Sequence, residues 1–440
     1  MNLVFTSSYF FVMLYAFSIA GSNSDTIPLK KAVEEYYVIE DKIQKDFRSV
    51  SGKPIERIII SLGAEGEGKS TVNNFLSLRE LRTRTIRGIL KICVEKPIVG
   101  MEVVHTPTQR IGVPYSKYDH RTKSVFYDTP GLTSSENVTS QLRNFLLIKK
   151  IFEVYANYPI YILIVTSEES LQLKTGAWIT TVVSLCSLFG SSFEDFSKAV
   201  SIVITKSKFW NDDIHGDAHA RNTLLGSLSE EADRNTRYDA TMNNLMVKCV
   251  ERLATVPLIF FPAAKHEGIL FNIENCDSLR RKIFKGLHAT TPLIRLIPIA
   301  DLSESEKLHV TLLITELIAE VAHFTQSILE EKTAAYCKEL CKAKSSDHAR
   351  KDLMRFITAL ENIQRGSEDI AQGFKDIFML VGAPYIPHDD LNIASRITYL
   401  ADLILLSNSK SQDLLMQALK KVHVIVSDCL QENNSLTVSS

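Results

Sequence analysis

The sequence predicts an α/β domain with a mostly parallel sheet, followed by an all-α domain. Short apolar runs alternate with helical patterns in the first part of the chain, and this order is typical of parallel strands covered by helices on both faces. Fifteen of the 18 glycines lie at or before Gly286, and no proline occurs between Pro298 and Pro384. These two changes in composition predict a domain boundary near residues 290–300.

The α/β domain is predicted from five β-rich apolar runs and from the helical patterns between them. Near-continuous apolar runs indicate strands that are buried on both faces of a parallel sheet. The predicted strands are residues 55–62, 123–128, 159–167, 198–206 and 256–263. The predicted helices are a charged amphipathic segment at 29–47 and the patterns at 142–156, 176–189 and 278–289.

The second domain is predicted from apolar residues at helical spacing. One such stripe consists of Leu313, Leu317, Val321, Phe324 and Ile328. Similar stripes lie in residues 393–404 and 415–426. Spacings of three and four residues place these side chains on one helix face, so we expect a bundle of about four helices over residues 303–440.

These patterns divide the chain as follows. An N-terminal helix and linker occupy residues 21–53, the α/β domain 54–292 and the helical domain 293–440. An insertion at 211–253 lies between two of the predicted strands, and we expect it to hold helices that meet a partner.

The charge balance argues against a nucleic-acid partner. The 440 residues include 50 Lys and Arg against 51 Asp and Glu, which gives a net charge of −1. No bulk basicity is present to attract nucleic acid or an anionic membrane.

The first 20 residues are rich in apolar side chains and carry no charge. Small residues at Ser18 and Ala20 predict a cleaved secretory signal, although no basic residue precedes the apolar run. The alternatives that stay open are a retained membrane anchor, a misassigned start and a buried helix. We therefore expect a secretory-pathway or secreted protein, with a membrane-anchored or cytoplasmic one as the alternative. The seven cysteines show no disulfide framework, which is more typical of a reducing compartment.

The segment Gly63-Ala64-Glu65-Gly66-Glu67-Gly68-Lys69-Ser70 fits the P-loop pattern, in which two glycines bracket four residues before Lys-Ser. The glycines allow backbone N–H groups to turn toward phosphate oxygens, and the following helix presents its positive N-terminus to the same charge. The Lys69 ammonium can then reach the β- and γ-phosphates, and the Ser70 hydroxyl can bind Mg²⁺. The sequence predicts a triphosphate site here.

A second motif, YDTPGL, ends the predicted strand 123–128. Asp128 can hold Mg²⁺ through water, and the N–H of Gly131 can reach the γ-phosphate. With the P-loop, this motif resembles the translation-factor-related P-loop GTPases, and most closely their septin-like, immunity-associated and dynamin-like branches. The resemblance implies a three-layer P-loop NTPase G domain that binds GTP or GDP with Mg²⁺, and relatives of this kind dimerise across their G domains.

The resemblance also implies a threonine between the two motifs that binds Mg²⁺ and contacts the γ-phosphate. Thr108 lies 20 residues before Asp128 and is our first choice; Thr106 is the alternative. The catalytic residues implied are Lys69 and Thr108, and the metal ligands are Ser70, Thr108 and Asp128. The nucleotide-binding residues implied are Gly63, Ala64, Glu65, Gly66, Glu67, Gly68, Lys69, Ser70, Thr71, Asp128, Gly131, Thr205, Lys206, Ala264 and Lys265.

Base recognition departs from the family pattern, which ends in an aspartate. Here Thr205-Lys206-Ser207-Lys208 places a lysine at that position, and a lysine cannot accept hydrogen bonds from guanine. Asp212 or Asp213 is a possible substitute. Ala264 and Lys265 match the turn that contacts the base oxygen through backbone N–H. We expect guanine, and adenine or relaxed specificity stays open.

Hydrolysis also departs from the pattern, because Leu132 stands where some relatives carry a water-orienting glutamine. Hydrolysis must then be slow, or it must use another polar group such as Thr133, Ser134 or Ser135, or it must depend on a partner. The arginine-bearing segment 78–91 is expected to be a solvated helix face, with an arginine finger as the alternative. The predicted function is a Mg²⁺-dependent GTPase switch with slow or assembly-stimulated hydrolysis; a non-hydrolysing scaffold and an ATP-binding protein are the alternatives.

Overall fold

A computed structural model describes most of the chain. The described residues are 29–97, 114–132, 138–172, 177–209, 213–233, 240–270, 273–293, 304–325, 329–342, 346–365, 370–381, 393–407, 415–417 and 419–438. The predicted N-terminal signal or anchor therefore lies outside them. Contacts between residues divide the chain into two units, Val38–Asp301 and Met1–Tyr37 together with Leu302–Ser440.

The unit Val38–Asp301 is built on a six-stranded sheet. Its strands and those of a smaller sheet are β1 (Arg57–Leu62), β2 (Leu81–Ile86), β3 (Ile89–Val94), β4 (Tyr115–Asp119), β5 (Ser124–Asp128), β6 (Ile160–Ser167), β7 (Val200–Ser207), β8 (Leu258–Pro262) and β9 (Gly268–Ile269). The large sheet has the order β4-β5-β1-β6-β7-β8, and only the β4–β5 pair is antiparallel. The predicted α/β class with a mostly parallel sheet is confirmed.

Helices precede, connect and follow these strands up to His288, and each predicted helix has a counterpart among them. They are α1 (Leu29–Val50), α2 (Lys69–Leu76), α3 (Val138–Val154), α4 (Glu168–Gln172), α5 (Ala177–Phe189), α6 (Phe193–Ser197), α7 (Asp213–Asp233), α8 (Ala240–Leu253) and α9 (Ile273–His288). The central strand β1 shows why the apolar runs form strands: Ile58, Ile59 and Ile60 are fully buried, with side chains alternating between the two covered faces.

The segment predicted as an insertion, 211–253, contributes to the core of its own unit. Its helix α8 packs against α5 and α6 and buries Met246, Cys249 and Leu253. The expectation that the helices of this segment meet a partner stays a prediction.

The arginine-bearing segment 78–91 forms a hairpin, so the expectation of a solvated helix face is wrong. Strands β2 and β3 pair in antiparallel fashion, and β9 joins β2 to give a three-stranded sheet. The connecting residues Arg87 and Gly88 have φ of 51° and 76°, as a tight two-residue hairpin turn requires. Thr83 is buried while Arg84 is exposed, so alternation with period two decides the structure.

After residue 302, the described residues form six helices of 11 residues or more, rather than about four. They are α10 (Glu304–Phe324), α11 (Glu330–Lys342), α12 (Ser346–Arg365), α13 (Ile370–Leu380), α14 (Ile393–Ser407) and α15 (Lys420–Val438). Leu313, Leu317 and Val321 of the predicted stripe are buried. Across the described ranges, we find no helix with the length and apolar character needed to cross a membrane.

Candidate functional site

The loop 63–68 follows the C-terminal end of β1, in the middle of the large sheet. From β1 the chain continues to β4 and β5 on one side, and from β6 it continues to β7 on the other side. Connections that diverge in this way leave a crevice at the carboxyl ends of the two strands, where open α/β sheets bind ligands. The fold therefore places the predicted loop at the expected ligand-binding edge.

Three glycines give this loop its path. Gly63, Gly66 and Gly68 have φ of 149°, 79° and 96°, values that residues with a Cβ atom rarely adopt. A Cβ atom on Gly63 would lie 2.1 Å from the carbonyl oxygen of Val165. Gly68 immediately precedes Lys69, the first residue of α2. Only glycine at position 63 permits this close packing of the loop against β6.

Lys69 is held inside the loop. Its Nζ atom donates hydrogen bonds to the carbonyl oxygens of Gly63, at 3.0 Å, and Ala64, at 2.8 Å. Burial lowers the pKa of the Lys69 ammonium, and the charges of Asp128, Glu67 and Glu65 oppose this effect. A buried ammonium at the start of a helix is suited to an anionic ligand.

Asp128 and Ser70 meet at the end of the loop. The Ser70 hydroxyl donates to Asp128 Oδ2 at 2.5 Å, although the two residues lie 58 positions apart. Asp128 is fully buried, and burial raises the pKa of its carboxyl group against the effects of Lys69, Ser70 and Asn73. Its Oδ1 atom has no hydrogen-bond partner of normal geometry among the described residues. A hydroxyl beside a buried carboxylate with spare lone pairs fits a hard cation such as Mg²⁺.

A layer of buried polar residues lies next to this pair, and sequence reasoning missed it. The Ser61 hydroxyl donates to Asn73 Oδ1 at 2.8 Å, and the Thr129 hydroxyl donates to the Ser61 carbonyl oxygen at 2.6 Å. The Asn74 amide donates to the Ser70 carbonyl oxygen at 2.8 Å. The first two bonds connect α2, the end of β1 and the residue after β5, whereas the Asn74 bond lies within α2. The available signal was a pair of polar residues, Asn73 and Asn74, between the apolar residues of a short helix.

The DTPG turn packs directly on the glycine loop. A Cβ atom on Gly131 would lie 2.8 Å from the backbone nitrogen of Glu65, and the Leu132 N–H donates to the Gly63 carbonyl oxygen at 3.1 Å. The Asn144 amide of α3 donates to the Gly131 carbonyl oxygen at 3.1 Å. The two predicted motifs are therefore in backbone contact.

The two glutamates of the loop have different environments. Glu65 is exposed, whereas Glu67 is buried. The Glu67 carboxylate accepts hydrogen bonds from the Ser167 N–H and from the Ser170 hydroxyl, the latter at 2.7 Å. Glu67 thus ties the loop to the end of β6 and the start of α4.

The segment predicted to contact the base lies beside the same loop. The Thr205 hydroxyl donates to the Glu67 carbonyl oxygen at 2.7 Å, and Lys206 is exposed with φ of 54°. The Ala263 N–H donates to the Ser207 carbonyl oxygen at 3.3 Å, which places the partly exposed Ala264 and the exposed Lys265 next to this segment. Thr71, which was also predicted to bind the nucleotide, is buried in α2.

The residues after Lys265 are tied to the small sheet. The Thr83 hydroxyl donates to the Gly268 carbonyl oxygen at 3.2 Å, and the Thr85 N–H donates to Glu267 Oε1 at 2.8 Å. The hairpin therefore holds the turn that contains Ala264 and Lys265. This strand role replaces the helix-face role expected from the sequence, and the arginine-finger alternative stays a prediction.

Several predicted residues lie outside the described part of the chain. They are Thr106, Thr108, Thr133, Ser134, Ser135 and Asp212. Within the described part, no group of three or more His, Cys, Asp or Glu side chains is arranged to hold a metal ion.

Comparison with models of known protein families found no match, and a search of curated proteins found no significant relative. The interpretation of this site therefore rests on its own residues and geometry.

Proposed function

We propose that the chain binds a guanine nucleotide together with Mg²⁺ and acts as a GTPase switch. The observation that carries this proposal is the contact of 2.5 Å between Ser70 Oγ and Asp128 Oδ2. This contact joins the two motifs at one point of the sheet edge. We also assign the unit Val38–Asp301 to the three-layer P-loop NTPase class, and the position of loop 63–68 after the central strand β1 supports this assignment.

The loop residues have distinct proposed roles. Backbone N–H groups of residues 63–68 would surround phosphate oxygens, because the three positive-φ glycines leave room for a close approach. Lys69 would exchange its bonds to the Gly63 and Ala64 carbonyl oxygens for bonds to the β- and γ-phosphates. Ser70, Asp128 and Thr108 would hold Mg²⁺, which when bound supplies positive charge to the phosphate oxygens.

We propose slow or assembly-stimulated hydrolysis because of Leu132. Its side chain is buried, its N–H is bonded to Gly63 and its carbonyl oxygen accepts from the Ser184 hydroxyl at 3.3 Å. An apolar side chain fixed in this way cannot orient a nucleophilic water. The same observation favours the second candidate, a nucleotide-bound scaffold without turnover.

Labelled GTP in millimolar Mg²⁺ tests binding, and competition by unlabelled ATP tests the base. We expect saturable binding that GTP displaces and ATP displaces poorly. Failure of the purified chain to bind any triphosphate would defeat the proposal, and equal displacement by ATP would defeat guanine specificity. Single-turnover phosphate release at low and high protein concentration then separates the two candidates, since only a GTPase releases phosphate.

The role of Asp128 is tested by Asp128→Asn, which keeps the shape of the side chain but removes its charge. We expect the Mg²⁺-dependent part of the triphosphate affinity to fall about 10- to 100-fold, as for other residues that support a bound metal ion. Binding is measured in Mg²⁺ and in EDTA, and only the affinity in Mg²⁺ should change. Asp195→Asn, at an exposed site, is the matched control. Equal affinities of the Asp128 variant and the wild type in Mg²⁺ would contradict the assignment.

A further inference from the structure

The base-contacting segment ends in a lysine, yet a carboxylate lies against it. Glu168 is the first residue of α4 and follows the end of β6 directly. Its Oε2 atom accepts a hydrogen bond from the Lys208 backbone N–H at 2.9 Å, and its Oε1 atom lies 3.5 Å from Lys208 Nζ. The sequence separation of 40 residues hides this pairing from sequence reasoning.

Guanine needs an acceptor at this point. Its N1–H and its N2 amino group are donors, so a carboxylate can accept from both, whereas a lysine side chain only donates. Adenine presents an unprotonated N1 instead and gains nothing from such a carboxylate. The chemistry of guanine selection therefore requires a carboxylate close to position 208 rather than Lys208 itself.

Glu168 retains the capacity to accept further hydrogen bonds. A carboxylate has about four lone-pair sites, and the hydrogen bond to the Lys208 N–H and the contact with Lys208 Nζ occupy only part of them. The Glu168 side chain is 12% exposed, so one edge of it can be reached from solvent.

The position of Glu168 relative to the rest of the site also fits this role. The segment 205–208 is anchored to the phosphate loop through Thr205 and Glu67, at 2.7 Å. On its other side it is bonded to Ala263, next to the Ala264–Lys265 turn. A residue held against Lys208 therefore lies beside the segment that connects the phosphate loop with the predicted base-contacting turn.

We infer that Glu168 is the specificity-determining residue, supplying from α4 the acceptor for guanine that Lys208 cannot supply. This inference rests on the proposed nucleotide site. It locates the base-reading group on a different element from the motif that normally carries it, and it makes Lys208 a positioning residue that holds the Glu168 carboxylate.

Glu168→Gln tests the inference, with GTP, ATP and xanthosine triphosphate (XTP) each competing against labelled GTP. The glutamine keeps an oxygen for the Lys208 N–H but presents an amide N–H₂ in place of an acceptor. We expect GTP affinity to fall about tenfold or more, since hydrogen bonds to a charged group contribute about 1.5–3 kcal/mol. The affinity for XTP should rise relative to that for GTP, because the C2 carbonyl oxygen of XTP accepts a hydrogen bond from the new amide.

Glu169→Gln is the matched control, since Glu169 is the exposed neighbour on the same helix. It should keep the wild-type order of affinities. An unchanged ratio of GTP to XTP in Glu168→Gln, or an equal loss for all three nucleotides, would overturn the inference while leaving the phosphate site intact. A wild-type chain that binds none of the three would overturn both this inference and the proposed function.

Discussion

Replacing Lys69 by methionine is expected to abolish measurable triphosphate binding while the chain stays folded. The buried ammonium donates to two loop carbonyl oxygens and is the group that would turn to the phosphates. Two hydrogen bonds to charged phosphates contribute about 1.5–3 kcal/mol each, so affinity should fall by at least about 100-fold. Methionine keeps the volume of the aliphatic stem, although the carbonyl oxygens of Gly63 and Ala64 lose their donor, so stability should fall by about 1–3 kcal/mol for each while the fold is retained.

The measurement is a titration with labelled GTP in Mg²⁺, together with circular dichroism to monitor the fold. Lys198→Met provides the matched control, because Lys198 is 53% exposed and precedes β7 at the opposite end of the sheet. This control should bind as the wild type does. If Lys69→Met retained wild-type affinity, the assigned role of the loop would be wrong.

Replacing Gly63 by alanine is expected to have the largest effect on stability. The new Cβ atom would lie 2.1 Å from the Val165 carbonyl oxygen, on a backbone with φ of 149°. The Val165 oxygen is part of the main chain and the new Cβ atom is bonded directly to it, so no side-chain rotation can relieve the clash. Strain and overpacking together should lower the free energy of unfolding by about 3 kcal/mol or more.

Gly66→Ala isolates the steric part of this effect. Gly66 has φ of 79°, but no atom lies within 4 Å of the position of its Cβ. We therefore expect only the cost of the left-handed conformation, about 1–2 kcal/mol. Chemical denaturation followed by circular dichroism measures both variants. Equal losses of stability would mean that the close approach of Gly63 to β6 does not constrain the loop.

The strand and helix order was predictable because it depends on local patterns. Near-continuous apolar runs marked the five parallel strands, and the glycine spacing marked the loop between β1 and α2. The hairpin β2–β3 was missed because its residues were interpreted as a charged helix face. The correct signal was the alternation of buried Thr83 with the more accessible Arg82 and Arg84, together with the turn at Arg87–Gly88.

Part of the candidate site was predictable, and part was not. Lys69, Ser70 and Asp128 were identified from motifs, and the structure brings them together at one edge of the sheet. Glu67 had been included only as a member of the loop, and its burial against Ser167 and Ser170 was not foreseen. Nothing in the order of residues indicates that a loop glutamate will bond to a serine 103 positions away.

The sequence by itself determined the α/β order, the path of the glycine loop and the residue types available for phosphate and Mg²⁺. Backbone conformation and hydrophobic periodicity depend on neighbours along the chain, so they can be predicted there. Only the tertiary structure decided that Ser70 bonds to Asp128, that Leu132 is buried and that Glu168 lies against Lys208. These pairings depend on the register of strands that are distant in sequence, and local patterns do not specify that register.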